Sequence, residues 1–149
     1  MFGFRYSSLE FLIKVGMNML TSIYAAILGI FLVLLSLNVV IKRSHARVSI
    51  GDGNDEQLTR AIRVQANLVE YLPITLILLF LAELNGASAL LLNANGIILI
   101  FARLCHVIGL SRHSGPSTMR FIGANLTWLV ILNLSIWNLI FGYEQIHLE

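Results

Sequence analysis

Four apolar stretches, residues 20–41, 58–85, 87–110 and 119–141, are each long enough to cross a bilayer, and short polar segments join them. In hydrocarbon, a backbone amide finds no water, so a spanning segment must satisfy its own hydrogen bonds. Runs of about 20 apolar residues without strict alternation do this as helices. Short connections make consecutive helices antiparallel. The predicted fold is therefore all-α: an integral membrane, up-down four-helix bundle. Composition agrees, with 57% hydrophobic residues and 12% charged, against about 45–50% and about 25% in soluble domains. Residues 19–149 read as one four-span domain. Residues 1–18 read as an N-terminal extension, with two readings open: an interfacial helix with Phe2, Phe4, Tyr6, Phe11 and Leu12 towards lipid, or a surplus start ahead of Met17 or Met19.

Charge sets the topology. Lys42, Arg43, Arg47, Arg60, Arg63, Arg112 and Arg120 flank the first and third connections, and the turn at residues 83–86 has no basic residue. The positive-inside rule puts that basic end at the cytoplasm and both termini on the far side. The net charge of +2 is gathered at these loops, so it points to topology and away from nucleic acid. A single cysteine, Cys105 in the third span, excludes an intrachain disulfide and reads as a small buried hydrophobe. No metal site is expected: Asp52, Asp55 and Glu56 lack calcium-loop spacing, and Asp55 and Glu56 read as helix-start residues. Trp128 reads as a packing residue, and Trp137 and Tyr143 as an interfacial belt.

The second span opens with RAIRVQANLVEYLP, residues 60–73. On a helix of 100° per residue, Arg60, Arg63, Asn67, Glu70 and Tyr71 share an arc of about 100°, with Ile62 and Val69 opposite. A charge within a span costs about 2.5–3.5 kcal/mol on insertion scales, so such groups face protein or a wet cavity. Pro73 within the same span predicts a kink. In the third span, Asn95, Arg103, His106 and Leu110 fall on one side. Arg103 lies near the end of its span, so snorkelling to the interface is a second reading for it.

Guanidinium forks suit carboxylates, a glutamate suits an ammonium, and an asparagine both donates and accepts. A wall of two arginines, Asn67 and Glu70 suits a small zwitterion with surplus negative charge. Glutathione has that chemistry, and a further cation (Arg43, Arg112 or Arg120) beside its thiol would favour the thiolate. The competing reading is structural: Arg63 and Glu70 as ion pairs between subunits.

The motif of Arg60, Arg63, Gln65, Asn67, Glu70, Tyr71 and Pro73 resembles the second-helix signature of the MAPEG family, membrane-associated proteins of eicosanoid and glutathione metabolism. The segments KRSHARVS and FARLCHVIGL and the basic loop before the last span extend the likeness from about residue 19 to the end. It is closest to the small bacterial branch. The resemblance implies a homotrimer with glutathione between protomers at the cytoplasmic face. It would place Arg63, Asn67, Glu70 and Tyr71 on the ligand and Arg60 nearby, and match Arg43 and Arg103 to family arginines. Many family enzymes carry tyrosines where this chain has His106 and Leu110. The arginine that activates the thiol matches either Arg120 or Arg112.

Two functions follow as expectations. One is a glutathione transferase or peroxidase acting on hydrophobic electrophiles or lipid hydroperoxides, with membrane lipids around it. The other is a non-catalytic lipid-binding or scaffolding protein, which Leu110 favours. A small multidrug exporter would need a carboxylate in the first span, which has none.

Overall fold

The computed structural model describes residues 19–112 and 115–147. The interfacial segment expected before residue 19 lies outside these residues. Four helices run in chain order: α1 (Leu20–Ala46), α2 (Glu56–Leu84), α3 (Ala89–Arg112) and α4 (Thr118–His147). All four are long and apolar enough to cross a membrane. The helices outrun the expected spans at the basic end: α1 continues through Lys42 and Arg43 to Ala46, and α2 starts at Glu56. A 27-residue helix is about 40 Å long, against about 30 Å of hydrocarbon, so the basic turns project past the apolar layer.

Local chemistry sets the boundaries. Arg47 ends α1 in a left-handed conformation at φ 55°, its N–H directed to the Arg43 and Ser44 carbonyls. Asp55 caps α2, accepting the Leu58 N–H at 2.7 Å, and Glu56 follows in the first turn. Both residues thus do what their position in the sequence implies. Ser88 Oγ accepts the Leu91 N–H at 3.3 Å at the start of α3. Pro73 is contained within the continuous helix α2.

α2 and α3 form the middle of the bundle, with α1 packed on one side and α4 on the other. The core runs along Leu28, Leu35, Val64, Leu68, Leu79, Leu99, Val130 and Leu134. The outward faces are apolar: Ile30 is 64% exposed and Leu139 71%, as lipid-facing positions are. Trp128 corrects the sequence reading, because it is 50% exposed on the outer face of α4 rather than packed inside. Its place mid-span allowed either direction, and only the rotation of α4 settles it. Trp137 stacks on Phe141 with ring centroids 5.6 Å apart.

Lipid is as apolar as leucine, so close packing and polar links hold membrane helices together. A Cβ on Gly123 of α4 would sit 2.6 Å from both the Ala102 carbonyl oxygen and the His106 nitrogen of α3, so only glycine permits that approach. Polar links cross every layer. The Tyr24 hydroxyl donates to Asn93 Oδ1 (2.6 Å), Asn95 Nδ2 to Asn133 Oδ1 (3.1 Å), and Asn138 Nδ2 to the Leu78 carbonyl (3.0 Å). Each contributes about 0.6 kcal/mol in a membrane.

Candidate functional site

The polar arc of α2 arises because an amphipathic helix turns its leucines inward. Leu58, Ala61, Val64, Leu68 and Leu72 are buried, which leaves Arg60, Arg63, Asn67 and Glu70 on the flank. That flank borders a cavity of about 530 Å³ at the basic end of the bundle. The α1–α2 loop contributes Asp52 and Asn54. α2 contributes Glu56, Thr59, Arg60, Arg63 and Asn67, while α3 gives His106 and Leu110 and α4 gives Arg120. The volume lies within the range of small-molecule sites, about 300–1,000 Å³.

The loop is held in place by its own polar contacts. Arg43 Nη1 donates to the Gly51 carbonyl at 2.7 Å and to the Ser49 carbonyl at 3.4 Å. Asp52 accepts the Asn54 N–H at 3.1 Å and the Thr59 hydroxyl at 2.9 Å. The Asn54 N–H first, and the Thr59 hydroxyl second, hold the Asp52 carboxyl below its ordinary pKa. Asp52 therefore carries its charge at neutral pH.

The residues singled out in the sequence divide into two groups. Arg60, Arg63, Asn67, His106 and Arg120 converge on the cavity. Arg60 also pairs with Glu56 at 2.6 Å. Arg43, Glu70, Tyr71, Arg103 and Arg112 are outside its lining. Of these, Arg43 braces the loop from behind, Glu70 is exposed further along α2, and Arg112 is exposed at the end of α3. Among the described residues neither Arg63 nor Glu70 has a hydrogen bond or ion pair, so the two do not pair within the chain.

Arg103 does not snorkel. It is 2% exposed, and the close α3–α4 approach encloses it. Its Nη1 donates to Asn67 Oδ1 at 3.2 Å, and its Nη2 to the Gly123 carbonyl at 3.5 Å and to the Thr127 hydroxyl. The Tyr71 ring lies 5.7 Å from its guanidinium carbon. Tyr71 is thus an inward neighbour of Arg103. Sequence reasoning missed Thr127 and Gly123 as its partners; the only signal was that Thr127 shares a helical line with Arg120. Cys105 is buried, as expected, and no group of three or more potential metal ligands occurs among the described residues.

A profile of the MAPEG family matches residues 21–140, a range that reaches into all four helices and includes every cavity residue. The chain belongs to the MAPEG family. It is also similar to the inner membrane protein YecN of Escherichia coli strains K12 and O6:H1. Each is 36% identical over 121 residues, which cover 81% of this chain and 91% of the relative. MAPEG membership and four spanning helices make it an integral membrane protein. Within this MAPEG chain, the signature on α2 divides between two tasks: Arg60, Arg63 and Asn67 border the cavity, and Tyr71 packs on Arg103.

Proposed function

We propose that the protein is a glutathione-dependent transferase or peroxidase of the inner membrane, and that the cavity at its basic end holds the glutathione. The observation that carries this reading is the convergence of Arg60, Arg63 and Arg120 with Asn67 on one cavity. Arg60 and Arg63 suit the two carboxylates of the tripeptide as bidentate partners. Asn67 donates to a carbonyl or carboxylate. Arg120 reaches the same cavity from the first turn of α4, where it would stabilise the thiolate; Arg112 is away from the lining.

Glu70 is exposed beyond the cavity and has no ion-pair partner among the described residues. In a homotrimer with ligand between adjacent protomers, it would meet the ligand's ammonium. By the positive-inside rule this end faces the cytoplasm, where glutathione is supplied, and both termini face away. Apolar electrophiles or lipid hydroperoxides would reach the site from the bilayer. The chemistry is nucleophilic: the thiol proton leaves to water at the mouth, and the thiolate sulfur forms a bond to electrophilic carbon as the leaving group departs. With a hydroperoxide, the thiolate attacks the terminal oxygen and releases the alcohol. A second glutathione then converts the sulfenic acid to disulfide and water.

Leu110 favours a second reading. It lines the cavity beside His106 and is buried at 7% exposure, giving that wall an apolar patch with no hydrogen-bonding group. A non-catalytic lipid-binding protein would use such a wall for an acyl chain. Ultraviolet difference spectra of the purified protein with glutathione separate the two. Thiolate absorbance at neutral pH, with turnover of a chlorinated dinitrobenzene, supports the enzyme. Co-purified lipid with no thiolate signal supports the lipid-binding protein.

A further inference from the structure

Among the described residues Arg103 is the only buried lysine or arginine, and no carboxylate pairs with it. Its partners are all neutral: the Asn67 amide oxygen, the Thr127 hydroxyl, the Gly123 carbonyl and the Tyr71 ring. Its Nε is buried and finds no partner. A buried cation with no counter-charge is costly, and it persists where it does something.

The Asn67 contact shows what it does. A guanidinium has five donors and no acceptor. Whatever lies against it must present oxygen. This settles the orientation of the Asn67 amide chemically: Oδ1 faces Arg103 at 3.2 Å, and the NH₂ is turned away. That NH₂ has no partner among the described residues, and Asn67 lines the cavity. An amide whose oxygen accepts from a cation is a stronger donor through its nitrogen.

We propose that Arg103 is a positioning residue of the cavity, locking Asn67 as a pure hydrogen-bond donor so that the bound ligand must present a carboxylate or amide carbonyl there. The uncompensated charge of Arg103 acts on that acceptor through the Asn67 amide. Thr127 and Gly123 hold the guanidinium from α4, so α3 and α4 together fix a donor that belongs to α2. The sequence left Asn67 free to donate or accept, and this geometry leaves it one role. The proposal rests on the glutathione reading for its probe alone, and its first arm uses no ligand.

In that first arm, Asn67→Asp is compared with the native protein by thermal melting in detergent. The substitution keeps an oxygen towards Arg103 and supplies the missing counter-charge, so the variant melts at or above the native temperature. A melting temperature clearly below native means residue 67 does not meet the unpaired charge of Arg103, and overturns the proposal. In the second arm, glutathione affinity is measured for Arg103→Gln, Asn67→Ala and the double variant. Each single change weakens binding by about tenfold, the value of one charge-assisted hydrogen bond, and the double variant is no weaker than Asn67→Ala alone. Losses that multiply to about a hundredfold show Arg103 acting independently of Asn67, and overturn it. Should Arg103→Gln fail to fold, the Asn67→Asp melt decides. A native protein that melts as predicted against Asn67→Asp but binds no glutathione upholds the Asn67–Arg103 contact and refutes the glutathione reading.

Discussion

The Glu83 carboxylate, one residue before the end of α2, accepts the backbone N–H groups of Leu20 at 2.5 Å and Thr21 at 3.0 Å, at the start of α1. One helix thus caps the positive end of its neighbour, at the end of the bundle opposite the cavity. The first turn of α1 contains no acidic residue and its N-cap, Met19, has no side-chain acceptor, so Glu83 supplies what the local sequence lacks. Glu83→Ala is expected to cost about 1–2 kcal/mol of stability, with Glu83→Gln losing less, and ligand affinity unchanged. Thermal melts of the two variants check this.

Gly123 sets the distance between α3 and α4. Gly123→Ala forces its Cβ against backbone atoms of Ala102 and His106 and is expected to destabilise the protein by about 1–3 kcal/mol. Gly142, on the same helix, has open space for 4 Å around the point a Cβ would occupy, so Gly142→Ala is expected to be neutral or to gain up to about 1 kcal/mol. Comparing the two melts separates close packing from helix propensity.

Arg120 and Arg112 are expected to behave differently. Arg120 lines the cavity and Arg112 does not. Arg120→Ala should leave glutathione binding within a few-fold but abolish its thiolate absorbance at neutral pH, while Arg112→Ala should preserve both. Spectral titration of the bound thiol checks this.

Asp52 gives the stability a dependence on pH. Its folded pKa lies below the ordinary 3.8 because the Asn54 N–H and Thr59 hydroxyl bond the charged form. The stabilisation is therefore complete above the ordinary value and is lost as pH falls through the lower folded value. The difference in melting temperature between native and Asp52→Asn protein is expected to be constant between about pH 5 and 8 and to shrink below about pH 4. Melts across that range check it.

Most of the fold was legible because membrane helices write their length and polarity into the sequence. The four spans, the helix start at Asp55 and the burial of Asn95, Arg103, His106 and Leu110 on one side of α3 all agree with the periodicity. The facing of α4 was not legible. Both its faces are apolar, so nothing in the pattern told Trp128 from a core residue. The signature on α2 was legible as a motif but not as a division of labour. Spacing put Arg63, Glu70 and Tyr71 on one arc, yet that arc is wide enough to meet a cavity, an outer surface and a buried arginine in turn. The role of Arg43 was hidden because its partners are backbone carbonyls of the loop, which a sequence does not display.

The most direct measurement is the melting temperature of detergent-purified protein with and without millimolar glutathione, beside Arg63→Ala. Ligand at about 100 times its Kd stabilises by about 2.7 kcal/mol. The account predicts a clear upward shift in the native protein that is lost in a well-folded Arg63→Ala variant. No shift in the native protein, or an equal shift in the variant, would contradict it.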